Sequence, residues 1–313
     1  MAAKQDTRIV TVAAVRKGKK GDEILFNERQ QIFTLATSIR SRDKISSSLK
    51  SKIRRGQPLR VVLDPRKAVI EKVEEFEKRD IDIYLKDRTL VDKPSRPLKI
   101  DVREIDPSVF NVVDYRLKWP PFKLCQRVIP SYAKAKEIFD YCAQQSCNLP
   151  GPYDISPCIP FQYVRDGCYA RAHKMRKIVT TKYKYCCEKV FSFANQNNDR
   201  LAVKANKWGG CCVTWWYHVA PLVRVRIKIF TFSFELAMVI DPGMFDKPVL
   251  LSSWLGAQQN TMCDPNAHVS MYSIQPGSAY SPANYAGTAF TTDPAYTATD
   301  ATCIAYSGLT TCP

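Results

Sequence analysis

The chain has 313 residues, 45% hydrophobic and 25% charged, which is ordinary for a soluble globular protein long enough for two domains and a sizeable core. Its formal net charge of +17 is uneven: residues 1–123 hold 29 Lys and Arg against 18 Asp and Glu, residues 124–313 hold 18 against 12. The basic runs at 16–20 and 50–55 read as solvated surface rather than a nucleic-acid footprint, and no uncharged apolar run approaches membrane-spanning length, so neither nucleic acid nor membrane is an expected partner.

In chain order, residues 1–20 read as a short apolar run followed by a flexible basic lead-in. Ile24, Leu25 and Phe26, then Ile32, Phe33 and Leu35, predict strands and a turn. Ile45, Leu49 and Ile53 recur every four residues, which predicts a short amphipathic helix ended by Gly56-Gln57-Pro58. A strand follows at Leu59-Arg-Val-Val-Leu63, stopped by Asp64-Pro65, with further β-like pieces at 81–85 and 98–102. This is a small α+β domain with no cysteine and no histidine, so by itself it reads as a binding or inhibitory module. Trp119-Pro-Pro-Phe-Lys123 is the predicted linker, because two prolines fit neither helix nor sheet and the lysine beside them is open to a protease. The expected domains are therefore 1–123 and 124–313.

All 12 cysteines fall between Cys125 and Cys312, which favours an oxidising, extracytoplasmic setting for the second part. Residues 1–8 lack the apolar core of a signal peptide, so an exported form would have lost its leader. A helix is predicted over 133–141, and Cys147 and Cys158 bracket a loop that a disulfide could close. Asp166-Gly167-Cys168 reads as a helix start with Asp166 as N-cap. Cys168, Ala172, Met175 and Val179 then share one face while Arg171, Lys174 and Lys177 share another. A thiol in the first turn is favoured as thiolate by the helix dipole, and a thiolate attacks acyl carbon; a buried structural cysteine, or half of a disulfide, fits the same pattern.

A strand is expected over 212–223, with His218 on one face beside Thr214, Trp216 and Ala220. Residues 225–240 read as β structure closed by Asp241-Pro242-Gly243, and the segment from Asn266 onward as loop held by disulfides. A helix-borne cysteine, then a strand histidine, then an aspartate ending the next strand is a Cys-His-Asp order. His173 is about 140° round the helix from Cys168 and cannot meet the thiol, so it is expected at a surface or interface; His268 sits in the irregular tail. His218 alone could equally be a hydrogen-bonded core residue. Trp215, Trp216 and Tyr217 could wall a cleft or fill the core. The doublets Cys186-Cys187 and Cys211-Cys212 could suggest zinc, but adjacent cysteines chelate poorly.

Ser156-Pro-Cys-Ile, Asp166-Gly-Cys-Tyr-Ala-Arg-Ala-His-Lys-Met-Arg176, Cys187-Glu-Lys, Cys211-Cys-Val, Tyr217-His-Val-Ala220 and Ile240-Asp-Pro242 together resemble the bacterial protein-glutaminases. The resemblance is dense from 124 to 245, weaker over the tail and faint over 1–123. It implies a secreted, monomeric protein-glutamine deamidase made as a zymogen, cut by an activating protease near Lys123, needing no metal or organic cofactor. It implies an α+β fold: a small α+β pro-domain, then a papain-like or transglutaminase-like catalytic domain whose cysteine helix packs on an antiparallel sheet. By motif, Cys168 would be the nucleophile, His218 the base and Asp241 the group orienting it, with the Cys168 backbone N–H an oxyanion donor. The pro-region would block the cleft; residues 24–36 are the expected covering segment, with Gln30 and Gln31 as substrate mimics. Cys303–Cys312 is a second expected disulfide beside Cys147–Cys158. Trp216, Pro221, the extra cysteines Cys125, Cys142 and Cys186, and a longer hairpin between His218 and Asp241 depart from the family pattern. The competing readings are a transglutaminase, a papain-like protease and a non-catalytic basic secreted binding protein.

Overall fold

The computed structural model describes residues 6–18, 21–36, 39, 42–53, 58–74, 125–196, 198–229 and 232–312. The linker expected at 119–123 and the β-like pieces at 81–85 and 98–102 lie outside the described residues.

The leading part closes a five-stranded barrel. Its elements are β1 (Asp6–Gly18), β2 (Gly21–Phe26), β3 (Phe33–Leu35), α1 (Arg42–Ile53), β4 (Pro58–Asp64) and β5 (Val69–Glu74), and the strands run in the order β1-β2-β3-β5-β4. Alternating apolar residues point inward, so Val10, Val12, Ile24, Phe26, Phe33, Leu59, Val61 and Ile70 fill the barrel, and Leu49 of α1 closes it. The strand and helix expectations at 24–35, 45–53 and 59–63 hold. The lead-in does not: most of residues 1–20 belong to β1, which pairs with both β2 and β4.

The cysteine-bearing part is built on a six-stranded sheet of order β12-β11-β10-β7-β13, with β6 paired to β10. These strands are β6 (Val128–Ile129), β7 (Glu188–Phe193), β10 (Tyr217–Ile229), β11 (Phe232–Val239), β12 (Val249–Leu250) and β13 (Met271–Gln275). Two small pairs stand beside it: β8 (Leu201–Lys204) with β9 (Cys212–Trp215), and β14 (Ala279–Pro282) with β15 (Phe290–Thr292). The helices are α2 (Tyr132–Gln144), α3 (Cys168–Thr181), α4 (Leu251–Gly256) and α5 (Thr297–Tyr306). Met175, Ile178 and Val179 of α3 pack with Ile138 and Phe139 of α2 over Val223 and Val225 of β10, which sets the cysteine helix on the sheet. The mixed α+β architecture matches the expectation, with β6–β10 and β3–β5 parallel and the remaining pairings antiparallel. Pro221 does not break β10; it lies opposite Lys189, and its carbonyl accepts the Ile240 N–H.

The disulfides are Cys125–Cys186, Cys147–Cys158, Cys211–Cys312 and Cys212–Cys263. Cys147–Cys158 is as expected. Cys303–Cys312 is not: Cys303 faces inward from α5 into the core that holds Cys168, while the tail beyond it returns along Gln162 and ties Cys312 to Cys211. Two of the extra cysteines, Cys125 and Cys186, bond each other, and each adjacent doublet sends its two sulfurs in different directions.

Candidate active site

Cys168 opens α3 as a free thiol, 1% exposed. The helix start differs from the expectation. Gly167, at φ 81°, is the N-cap, and the Asp166 side chain makes no capping bond across the first turn. A side chain at Gly167 would be strained by that φ, and its Cβ would lie 2.9 Å from the Tyr306 ring. Nor does α3 expose a basic face throughout. Arg171 donates to the carbonyls of Tyr163 and Asp166, both at 2.6 Å, and Lys174 pairs with Asp300 at 2.6 Å; both are buried, while Lys177 is exposed.

The expected strand over 212–223 breaks at Trp216, between β9 and β10. Trp215 therefore stacks flat on the His218 imidazole, centroids 4.6 Å apart, while Trp216 turns to the side that holds Cys168. Trp254 of α4 lies against the same imidazole at 5.3 Å. His218 Nε2 donates to Asp241 Oδ2 at 2.8 Å, and the Trp254 indole N–H donates to that same oxygen at 2.9 Å. Burial alone would raise the Asp241 carboxyl, but the His218 imidazole, the Trp254 N–H and the Arg171 guanidinium outweigh it and hold the group below the ordinary carboxylate value. An ionised Asp241 fixes the proton on Nε2. Nδ1 then carries a lone pair, and it has no hydrogen-bond partner among the described residues.

Cys168 packs in one cluster with Val219, the residue after His218 in β10. The structure thus brings His218 and Asp241 into direct contact and sets Cys168 against the same stretch of strand, with no hydrogen bond between thiol and imidazole. Burial pushes the thiol well above its ordinary pKa; Arg171 and the Val219 N–H pull it down, Asp166 and Asp241 add to the rise. In the intact chain burial works against the thiolate that the helix position favours, and the leading part contributes to that burial through Gln30.

The cover is the turn between β2 and β3, buried from Asn27 to Gln31. Glu28 accepts the backbone N–H and the hydroxyl of Thr11, both at 2.8 Å, and the Asn27 amide donates to the same hydroxyl, which stiffens the turn. Gln30, 0% exposed, lies in the cleft: its Oε1 accepts the Cys168 backbone N–H at 2.8 Å, and its Nε2 donates to the Val164 carbonyl at 3.1 Å. Trp216 holds the segment's main chain, donating its indole N–H to Arg29 O at 2.6 Å and its backbone N–H to Gln30 O at 3.1 Å. Gln31 forms a bridge with Trp215, and its amide turns back to Pro65 at 2.9 Å, so only Gln30 of the two presents its carboxamide to Cys168. Farther out, Glu23 of β2 joins Arg16 and Arg200, and Tyr163 donates to Pro65 O at 3.0 Å.

His173 is buried, contrary to the surface expectation. Its Nε2 donates to Asp293 O at 3.1 Å, and its Nδ1 accepts from the buried Lys189 ammonium at 2.7 Å. Burial, with Lys189 and Arg176 beside it, pushes the imidazole down to about 2; burial pushes Lys189 down to about 7. Unfolded, His173 takes up a proton near 6.5 that the folded chain refuses until about 2. Stability from this group is therefore complete above pH 6.5 and falls as pH drops below it, by about 1.4 kcal/mol per pH unit. Lys189 adds the same sign of slope between about 7 and 10.5, where only the unfolded chain holds its proton. Thermal unfolding between pH 4 and 7 is expected to show a melting temperature that falls with acid, and His173→Gln a shallower fall.

Sequence reasoning passed over Asp166 as a long-range anchor, Arg171 beside the cleft and Trp254 on Asp241. Charge alone placed Arg171 outward, and the short run around Trp254 carries no periodic pattern.

Fold and site together define a class: an α+β protein with a free cysteine at the head of a helix laid on a sheet that carries a His–Asp pair. A family model described as glutaminase matches residues 135–258. None of the curated proteins matches the chain. Among solved structures, a pro-protein-glutaminase is 26% identical with a TM-score of 0.71, covering 98% of this chain and 95% of its own. Its A47Q2 mutant is 27% identical at the same TM-score, covering 99% and 96%. The protein-glutaminase of Chryseobacterium proteolyticum is 35% identical with a TM-score of 0.50, covering 59% of this chain and 92% of its own. The chain belongs to the protein-glutaminase family.

Proposed function

We propose that this chain is the latent precursor of a secreted enzyme that hydrolyses the side-chain amide of protein-bound glutamine to glutamate and ammonia. One observation carries the reading: the Gln30 carboxamide lies in the buried cleft with its oxygen on the backbone N–H of the only cysteine that opens a helix among the described residues. That is the pose a substrate glutamine needs for its oxygen to gain charge against a fixed donor. Residues 1–123 are the inhibitory pro-region and 124–313 the catalytic domain, separated by proteolysis near Lys123. Four disulfides suit an oxidising destination.

With the cover removed, water relieves the burial that holds the Cys168 thiol neutral, and the helix start, Arg171 and the Val219 N–H favour the thiolate. His218 takes the thiol proton at Nδ1. The sulfur bonds the glutamine amide carbon, the C–N bond breaks, and the imidazolium gives its proton to the departing ammonia. Nδ1 then takes a proton from water, the hydroxide adds to the thioester, and the C–S bond breaks to leave glutamate and the thiol. Asp241 holds Nε2–H throughout and offsets the imidazolium charge.

The test is ammonia release from a glutamine-rich protein, with and without limited proteolysis of the full chain, in the presence of a labelled amine. Ammonia only after cleavage, without amine incorporation, is expected. Amine incorporation would make the enzyme a transglutaminase, peptide cleavage a protease, and full activity of the uncut chain would end the blocking role.

A further inference from the structure

Immediately before Gln30 stands Arg29, and it is as deeply held. Its Nη1 donates to Asp166 Oδ2 at 3.0 Å, to the Tyr169 hydroxyl at 3.1 Å and to the Tyr306 hydroxyl, and its guanidinium lies 5.7 Å from the centre of the Tyr306 ring. Every one of these partners belongs to the cysteine-bearing part. Asp166 is 0% exposed, with Oδ1 accepting the Gly167 N–H at 2.8 Å and Oδ2 the Tyr306 hydroxyl at 2.8 Å. Arg29 pairs with this carboxylate, whereas Arg171 donates to the Asp166 backbone carbonyl.

We infer that Asp166, Tyr169 and Tyr306 form a subsite for the residue just before the target glutamine, and that it selects a cationic side chain, arginine above all. The inference rests on the proposed deamidase reading and deepens it. The register follows from main-chain contacts alone. Asp166 Oδ1 accepts the Gln30 N–H at 3.1 Å, while Trp216 binds Arg29 O and Gln30 O, so any substrate whose main chain follows the path of residues 29–30 can repeat them. Once a glutamine carboxamide sits on the Cys168 N–H, the preceding side chain has to fall where Arg29 falls. A buried carboxylate that has lost its partner gains most from a fitted guanidinium, which can also lie against the Tyr306 ring. The overall charge argues the other way: residues 124–313 are net basic, and their general field favours acidic substrates. A preference for arginine at this position can therefore come only from the local site.

The experiment compares four blocked peptides, identical except for arginine, citrulline, alanine or glutamate before the single glutamine. Ammonia release is measured with the full chain after limited proteolysis. Citrulline keeps the shape of arginine and removes its charge. The expected kcat/KM is at least tenfold higher for arginine than for citrulline, with glutamate lowest, and Asp166→Asn brings the arginine-to-citrulline ratio toward one. Should that variant fail to fold, the wild-type peptide series decides alone. Equal rates for the four peptides, or glutamate fastest, overturn the subsite and leave the deamidase standing. No ammonia from any peptide, nor from a glutamine-rich protein, overturns the deamidase reading and the subsite with it.

Discussion

Cys168→Ala is expected to abolish ammonia release by the proteolysed chain, lowering the rate about 10⁴-fold or more, while the protein keeps its fold. Three other thiols survive in the structure, so the experiment discriminates. Cys142, Cys187 and Cys303 are all buried, and burial raises each of them, Cys187 and Cys303 to about 12. None of these three opens a helix beside the His218 strand. Replacing Cys168 by alanine removes only the sulfur, so thermal unfolding should change little while ammonia release disappears. Retained activity would transfer the chemistry to another group.

Asp241→Asn is the second large effect expected, about a thousandfold in kcat, and its cause is a tautomer rather than a lost charge alone. With aspartate, Oδ2 can only accept, so Nε2 must carry the proton and Nδ1 keeps its lone pair. The Trp254 N–H already donates to Oδ2, which fixes the side chain's orientation. An asparagine held by the same indole keeps its oxygen there or turns its NH₂ toward Nε2. In the second case the imidazole proton moves to Nδ1, the atom that should receive a proton from thiol and water. In either case the imidazolium loses its counter-charge. The check is the pH–rate profile beside kcat: partial recovery at high pH, where hydroxide replaces the base, separates a tautomer fault from misfolding.

Much of the site was legible because its chemistry is local. Cys168 at a helix head, His218 in a strand and Asp241 at the end of the next could be picked out as candidates from spacing, while their roles and the covering segment at 24–36 with Gln30 followed only from the family resemblance. What escaped was set by partners distant in the chain. Asp166 reads as an N-cap from its neighbours, but its carboxylate is taken by Arg29 and Gln30, over 130 residues earlier. His173 reads as a surface or interface residue until Lys189 arrives from β7. The expected Cys303–Cys312 bond does not form, because the tail's path along Gln162 delivers Cys312 to Cys211. The helix position favours a thiolate, yet burial in the folded intact chain pushes the thiol up, a cost that the helix start alone does not reveal.

The covering contact also has a consequence for how latency ends. Arg29, Gln30 and Glu23 join the two parts through buried hydrogen bonds and ion pairs, so a cut at the proposed site near Lys123 is not expected by itself to vacate the cleft. Release of the severed barrel should lag behind cleavage.

The most direct measurement is alkylation of the protein with iodoacetamide at neutral pH, before and after limited proteolysis and removal of the barrel, with the modified residues located by mass spectrometry. The intact chain should leave Cys168 unmodified, and the cut chain should take up a single label on Cys168 as its ammonia release is lost. Equal labelling of Cys168 in both forms, or inactivation with the label on Cys142, Cys187 or Cys303, would contradict the account.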